Sequence, residues 1–452
     1  MTVKPGGAGS TYCDEDAMTV AEMFSEFLGN LAITNTETIS ARYGELTCAL
    51  NKQFRDTESR EANTLQVGSF GRRTGINGIS DLDILYIMPK SKWEDYNNSG
   101  GQLKLLQDAK EAILNRYPTT QVRVDRLVVT VTYTNFHVEV QPVFEQDDQS
   151  YKYPDTKNGG SWKITKPREE MKAVADMDVA KNANLRRLCK MVRAWKNKHG
   201  VSMGGLLIDT LAYNFLNSTT AYDTKSFLYY DELSRDFFKF LSDQPDQDEY
   251  AAPGSRQRVR VKKKFQRKAR KAYDLCIQAI SAEGQTNVNE KWKGVYGRPF
   301  PSAGGKVEKA FTSPTWDNTE EFIEDKFSVD IRGHLKLDCE VKQNGFRKFF
   351  LSDMLLRHIP LKSSKKLHFW VKDLSVRAPY KIYWRVLNRG GEAEKRNCIR
   401  GQIVLDGGHL DKNEETSFRG DHVVECYCVK DGVVVAKDRI HVPIEADASD
   451  YD

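Results

Sequence analysis

The chain has 452 residues, 39% of them apolar and 10% aromatic, a balance that excludes general disorder and supports two or three domains, each with its own core. The formal net charge of +5 is mild, so where the charge sits says more than the total. With no run of eighteen apolar residues and no charged-then-apolar leader at Met1, no membrane span is expected and a soluble, cytoplasmic protein is the default.

Residues 1–14 are polar and glycine-rich and are expected to form a flexible N-terminus. Ile39, Tyr43, Leu46, Leu50 and Phe54 then recur at helical spacing, with Thr34 and Glu37 in the capping-box pattern just upstream. That helix is expected to pack behind the glycine-serine turn that ends the stretch 65–70. Residues 79–88 read as a strand and 102–116 as a helix. Two β-rich runs follow, 122–133 and 136–144, separated by Thr134-Asn135, which suits a hairpin turn. Further on, Leu185, Leu188, Val192 and Trp195 form an apolar arc, with Arg186, Lys190 and Arg193 on the opposite arc. A helix burying one face there should present a cationic stripe on the other. The turn 200–204 leads into a second, mostly apolar helix, 205–216. The run 256–271 holds ten Lys or Arg in sixteen positions, with an acidic stretch, 243–249, just before it to neutralise part of it. Such a run fits RNA, DNA or another polyanion bound through phosphates, and equally a solvated helix whose field draws triphosphates to a nearby cleft.

Between about 283 and 314 the sequence turns rich in Gly, Pro, Ser and Asn, which marks a domain boundary. From 317 onward short alternating strands dominate: 368–372, 380–387, 399–405, 422–429 and 433–437. Turns are supplied by Asn388-Arg389-Gly390-Gly391, Asp406-Gly407-Gly408 and Asp431-Gly432. The expectation is a small antiparallel β-sandwich with a helical segment near 349–358. Trp370, Tyr380, Tyr383 and Trp384 fit its core or a base-stacking platform. The eight cysteines lack a repeated CxxC, which argues against a disulfide scaffold and a structural zinc. The fold class is therefore α+β. The expected division is a flexible N-terminus at 1–14, a first domain at 15–300, a linker at 301–316, a β-domain at 317–446 and an acidic tail at 447–452.

The chemistry concentrates in the first domain. Asp81 and Asp83 follow Gly68-Ser69-Phe70-Gly71-Arg72-Arg73-Thr74 and lie in an apolar stretch. On a strand, alternate side chains share a face, so the two carboxylates point together while Leu82, Ile84 and Leu85 help bury the strand. Their mutual repulsion is relieved by a shared divalent cation, and oxygen ligands favour Mg2+ (or Mn2+). Gly68 lets backbone N–H groups approach a phosphate, the Ser69 hydroxyl adds a bond, and Arg72 and Arg73 can supplement the charge. A third carboxylate is needed from a neighbouring strand. Glu139, between His137 and Gln141 on one face, is the candidate, and Asp125 on the preceding run is the competitor. A solvated helix face accounts for Lys190 and Arg193 as readily as chemistry does, and Ser202 could simply cap the helix that follows.

The glycine-serine run with Ser80-Asp81-Leu82-Asp83 resembles the polymerase-β-like nucleotidyltransferase signature. With the Arg-x-Thr element, the helix Leu188 to Trp195 and the serine turn, it is similar to the bacterial CD-NTases, relatives of cyclic GMP-AMP synthase and oligoadenylate synthetase. The resemblance covers roughly 15–300. It implies a polymerase-β-like core with a helical lobe and synthesis of a cyclic di- or trinucleotide second messenger from nucleoside triphosphates (ATP and/or GTP) in anti-phage defence. It further implies that Asp81, Asp83 and Glu139 are catalytic and bind magnesium, and that Gly68, Ser69, Lys190 and Ser202 bind the triphosphate. Many members carry Asp as the third acid, where this chain has Glu139. The second domain, through Pro379-Tyr380, Tyr383-Trp384-Arg385-Val386-Leu387-Asn388, Arg400-Gly401-Gln402-Ile403 and Gly420-Asp421-His422-Val423-Val424-Glu425-Cys426-Tyr427, resembles the adenylyl/guanylyl and SMODS C-terminal sensor domain. That likeness implies a module that senses a ligand or partner and sets synthetase activity; a nucleic-acid or protein activator acting through this module or the basic run is the candidate partner. The rival readings are a template-independent transferase making linear products or modifying RNA, and a nucleotide-binding sensor protein without turnover.

Overall fold

The computed structural model describes residues 18–445 apart from 79–80, 135, 304–318, 343–348 and 390. The expected flexible N-terminus, most of the linker and the acidic tail therefore lie outside the described residues.

The chain opens with α1 (Val20–Asn30), closed at its start by a capping box between Thr19 and Glu22. The helix α2 (Thr36–Arg55) follows. The capping box expected at Thr34 and Glu37 does not form: Asn35 is the N-cap and makes no side-chain cap bond, while the Thr34 hydroxyl donates to Asn77 at 3.4 Å. Next come β1 (Thr64–Gln66), the one-turn helix α3 (Gly68–Gly71), β2 (Asp81–Ile87), α4 (Trp93–Tyr96) and α5 (Gly101–Arg116). The run expected at 122–133 is two strands, β3 (Gln121–Val124) and β4 (Val129–Thr132), folded back on each other through a turn at Asp125. β5 (His137–Glu145), β6 (Tyr151–Asp155) and β7 (Ser161–Thr165) complete the sheet.

Its order is β1-β2-β5-β4-β3, with β2 and β5 parallel and β6 and β7 extending from β5. Alternation along β2 decides what faces where. Leu82, Ile84 and Tyr86 join Leu46, Leu50 and Phe54 of α2 and Leu105, Leu106 and Ala109 of α5 in one apolar cluster, which turns Asp81 and Asp83 to the other face.

On that other side lie α6 (Pro167–Ala180), α7 (Asn184–His199), α8 (Gly205–Asn217), α9 (Tyr230–Ser242), α10 (Gln266–Ile280) and α11 (Val288–Tyr296). α1 joins most of these in a second large core, which includes Phe24, Trp195, Phe237 and Trp292. The basic run does not form one helix. It contributes β9 (Arg258–Arg260), paired with β8 (Glu249–Ala251), and the start of α10. Much of its charge is met by acids, Arg258 by Glu249, Lys264 by Asp246 and Lys263 by Asp373.

The C-terminal region is β-rich. α12 (Ile323–Lys326) leads to β10 (Ser328–Val329) and β11 (Leu335–Lys342); β12 (Phe349–Phe350) and α13 (Leu351–Leu356) occupy the segment expected to be helical. β13 (Lys366–Leu374), β14 (Lys381–Leu387), α14 (Gly391–Lys395), β15 (Arg400–Leu405), β16 (Asp411–Glu415), β17 (Gly420–Lys430) and β18 (Val433–Ile444) follow. Two sheets, β10-β18-β17-β14-β15 and β12-β11-β13-β16, share one core that includes Cys339, Phe369, Trp384 and Cys426. The expectation of a purely antiparallel arrangement is corrected at one place. β10 pairs parallel to β18, because the chain enters this region alongside the strand that ends it.

α7 meets both regions and corrects the expected cationic stripe. Arg193 and Lys196 are buried along with Leu188, Val192 and Trp195, because the face opposite the helical core is covered by α8 and by the β-rich region. Lys196 pairs with Asp330 at 2.5 Å, and Asn197 donates to Val329 O at 2.8 Å while accepting from Ile331 N at 3.3 Å. No helix among the described residues is long and apolar enough to cross a membrane.

Candidate active site

A cleft of about 660 Å3 opens over the polar face of β2 and β5. Their parallel register sets Asp81 beside His137 and Asp83 beside Glu139. Gly68 closes one end. Its φ of +64° belongs to the left-handed region, and a Cβ there would lie 1.7 Å from Asp83 Oδ2, so only glycine brings this turn against the aspartate. Ser69 lines the cleft one residue on, and its carbonyl accepts from the N–H groups of Thr74 and Gly75.

The turn is held from behind by Asp209 of α8, which the sequence reading passed over. Arg72 Nε donates to it at 2.9 Å, Thr74 Oγ1 at 3.0 Å and Arg193 Nη1 at 2.6 Å. Burial would raise this carboxyl, but Arg193 and then Arg72 outweigh it and hold the group well below its ordinary value. Arg72 therefore serves as an anchor, with Glu170 3.7 Å away, more than as a free phosphate ligand; Arg73 is exposed and outside the cleft lining.

The electrostatics of the open face are opposite. Burial, then Asp81 and Glu139, push the Asp83 carboxyl up to about 8. Burial and Asp81 push Glu139 up to about 7. His137 is driven below its ordinary value by burial first and then by Arg332. Asp81, His137 and Glu139 each bring one ligand atom to within 4.8 Å of the others, and His137 Nδ1 has no hydrogen-bond partner among the described residues. Clustered carboxylates that burial and repulsion disfavour as anions, with an imidazole beside them, are a donor set that fits a divalent cation. Asp125 lies at the mouth of the cleft in the β3–β4 turn, engaged by Thr130 Oγ1 at 2.7 Å and Arg123 Nε at 3.2 Å. Lys190 and Ser202 do not line the cleft. Lys190 is six residues, about 9 Å of helix rise, before Lys196, which does. Ser202 is buried with its hydroxyl 3.5 Å from the carbonyl of Arg332.

Residues 18–178 match the family described as the Second Messenger Oligonucleotide or Dinucleotide Synthetase (SMODS) domain, and residues 317–445 match the Adenylyl/Guanylyl and SMODS C-terminal sensor domain. The chain thus carries a SMODS-family nucleotidyltransferase domain followed by that sensor domain. No curated protein matches the sequence. Solved structures similar to the chain include Escherichia coli MS115-1 CdnC in complex with HORMA-deltaN, at 15% identity and a TM-score of 0.49, covering 62% of this chain and 98% of that one. The CD-NTase CdnG of Bradyrhizobium diazoefficiens with GTP is 15% identical with a TM-score of 0.46, covering 63% and 96%. The apo form of Vibrio cholerae DncV is 15% identical with a TM-score of 0.44, covering 63% and 87%.

The sensor domain reaches into the SMODS cleft. Arg332, three residues beyond β10, places its guanidinium on the carboxylate of Asp81 and donates from Nε to Asp330 at 2.7 Å. Asp330 in turn is held by Lys196. Despite burial, Asp330 and Asp81 keep Arg332 firmly charged. A fixed cation from the second domain thus sits where a metal ion would meet Asp81.

Proposed function

We propose that this protein is a metal-dependent nucleotidyltransferase that joins nucleoside triphosphates into a cyclic di- or trinucleotide second messenger, releasing pyrophosphate. The observation that carries the reading is the seating of Asp83 under the Gly68 turn with Glu139 beside it on the next strand, carboxylates and phosphate-binding backbone in one cleft. Asp81 and Glu139, with His137 beside them, are the residues that would hold Mg2+ or Mn2+, and Asp83, next to Glu139 across the strands, is the further candidate ligand. Bound there, the ions would stabilise the entering and leaving oxygens of an in-line displacement.

The chain's own groups do the rest. Gly68 and Ser69 bind the donor phosphates through backbone N–H groups and the Ser69 hydroxyl. Glu139, raised to about 7, takes the proton of the attacking ribose hydroxyl. Asp125, already engaged by Thr130 and Arg123, is the weaker claimant to that role. Ser202 would approach a triphosphate only once Arg332 has withdrawn, since its hydroxyl is turned to that residue's carbonyl, and Lys190 lies outside the cleft lining. CdnC and CdnG were solved with ATP and GTP, so these are the first substrates to test. A role in anti-phage defence in the cytoplasm belongs to the same reading.

The test is incubation of the wild-type and Arg332→Ala chains with labelled ATP, GTP, CTP and UTP plus magnesium or manganese. Phosphatase-resistant products are expected, lost on Asp81→Ala or Asp83→Ala; equal product from those variants would sink the assignment. Products that remain linear, or label appearing on added RNA, would move the protein to the template-independent class.

A further inference from the structure

A second cavity, of about 450 Å3, lies between the two domains. Lys198 at the end of α7 lines it from the SMODS side, and Lys437 and Arg439 of β18 line it from the sensor side. None of the three has an ion-pair partner among the described residues. Of the other arginines in the lining, Arg385 is engaged by Glu425 and Glu320 and Arg298 by Asp325, while Arg389 is exposed. Glu425 also accepts from the Tyr427 hydroxyl at 2.6 Å, which leaves exposed Glu324 as the uncommitted acid of the lining. Burial depresses both lysines; Lys437 and Arg439 depress Lys198 further, and Glu324 and Glu425 offset part of the effect on each. Like charges gathered from two domains into a half-buried space are unfavourable unless an anion joins them. Phe322 and Tyr427 add aromatic surface to the same walls.

The cavity is mechanically continuous with the cleft. Lys196, Asn197 and Lys198 are consecutive: the first holds Asp330, the second clamps Val329 and Ile331, and the third faces the cavity. Ser328 and Val329 line the cavity four and three residues before Arg332, which meets Asp81.

We propose that this interdomain cavity binds a phosphate-bearing ligand of nucleotide size, and that its occupant bridges Lys198 to Lys437 and Arg439, keeping the domains docked with Arg332 on Asp81. The direction follows from linkage. An anion that relieves repulsion across the interface binds the docked arrangement better than the separated one, so it favours docking and restrains the cleft. The inhibitory consequence rests on the reading of the cleft as a nucleotidyltransferase site; the binding site itself does not.

Binding of inorganic tripolyphosphate, ATP and cyclic di-GMP to the full chain is measured calorimetrically in EDTA, where the acidic cleft has no metal to hold a phosphate. Saturable binding of at least one probe is expected, weakened about tenfold or more by Lys437→Ala and by Lys198→Ala and unchanged by Asp83→Asn. The three probes separate a free polyphosphate from a nucleotide as the source of the phosphate. Hydrogen exchange should show residues 328–334 gaining protection on binding, a readout independent of turnover. No binding by any probe, affinity unaltered in both lysine variants, or binding without protection of 328–334 would overturn the proposal. If the chain makes no cyclic product yet these results hold, only the reading of the cleft has failed.

Discussion

Asp209 is fully buried and Asp83 half-buried at the cleft, only a short way apart across the Gly68 turn, yet their carboxyl groups behave in opposite ways. Asp209 receives Arg193, Arg72 and the Thr74 hydroxyl and is held well below its ordinary value. Asp83 meets Asp81 and Glu139 and is pushed up to about 8. The difference teaches that burial does not decide what an acid is for; its partners do. An acid surrounded by donors is a strut, and an acid surrounded by acids is waiting for a cation.

The sharpest way to break this comparison is to exchange the consequences. Asp209→Ala leaves Arg72 and Arg193 buried without their common partner and should cost about 3–5 kcal/mol of stability in chemical denaturation. Asp83→Asn should leave the metal-free protein as stable or more so. A large loss at Asp83 would erase the distinction. In turnover the order reverses: Asp83→Ala should lower the product-forming rate by at least about 100-fold, and Asp209 variants that remain folded should lose less.

Gly68→Ala tests the contact between the two acids' regions. The added methyl meets Asp83 Oδ2 and the backbone keeps a positive φ, so a loss of about 1–3 kcal/mol together with turnover is expected. Arg332→Ala removes the cation lent by the sensor domain; Mn2+ affinity in calorimetry should rise about several-fold. Unchanged affinity would mean that Arg332 does not compete at Asp81.

The smallest effect concerns a third way of settling burial, by losing charge. His199 is half-buried beside Val295 O, to which its Nε2 donates at 2.9 Å, and desolvation pushes its pKa down to about 3. The unfolded chain binds this proton near pH 6.5 and the folded chain does not, so stability from this group is full above pH 6.5 and falls as pH drops from about 6.5 toward 3. His199→Gln should flatten that part of the pH–stability curve, and an unchanged slope would remove His199 as its source.

Much was legible from local pattern. The helix behind the turn, the strand bearing Asp81 and Asp83 and five of the C-terminal strands follow from periodicities of 3.6 and 2, which depend only on near neighbours in the chain. Glu139 could be singled out because alternation within a strand is local. Arg193 and Arg72 were misread because a charged residue on a helix or turn is ordinarily solvated, and their partner Asp209 lies 16 and 137 positions away. Short strands such as Ser328–Val329 carry too few residues to declare a period.

The amino-acid order alone thus determined where the carboxylates, the glycine-serine turn and the two domain textures would be, since strand alternation and turn chemistry are set within a few residues. Only the tertiary structure decided that α7 is buried on both sides, that Asp209 pins the turn and that Arg332 of the second domain reaches Asp81. Those pairings form between groups brought together by packing of the cores, and charge attraction acts through space without regard to distance along the chain.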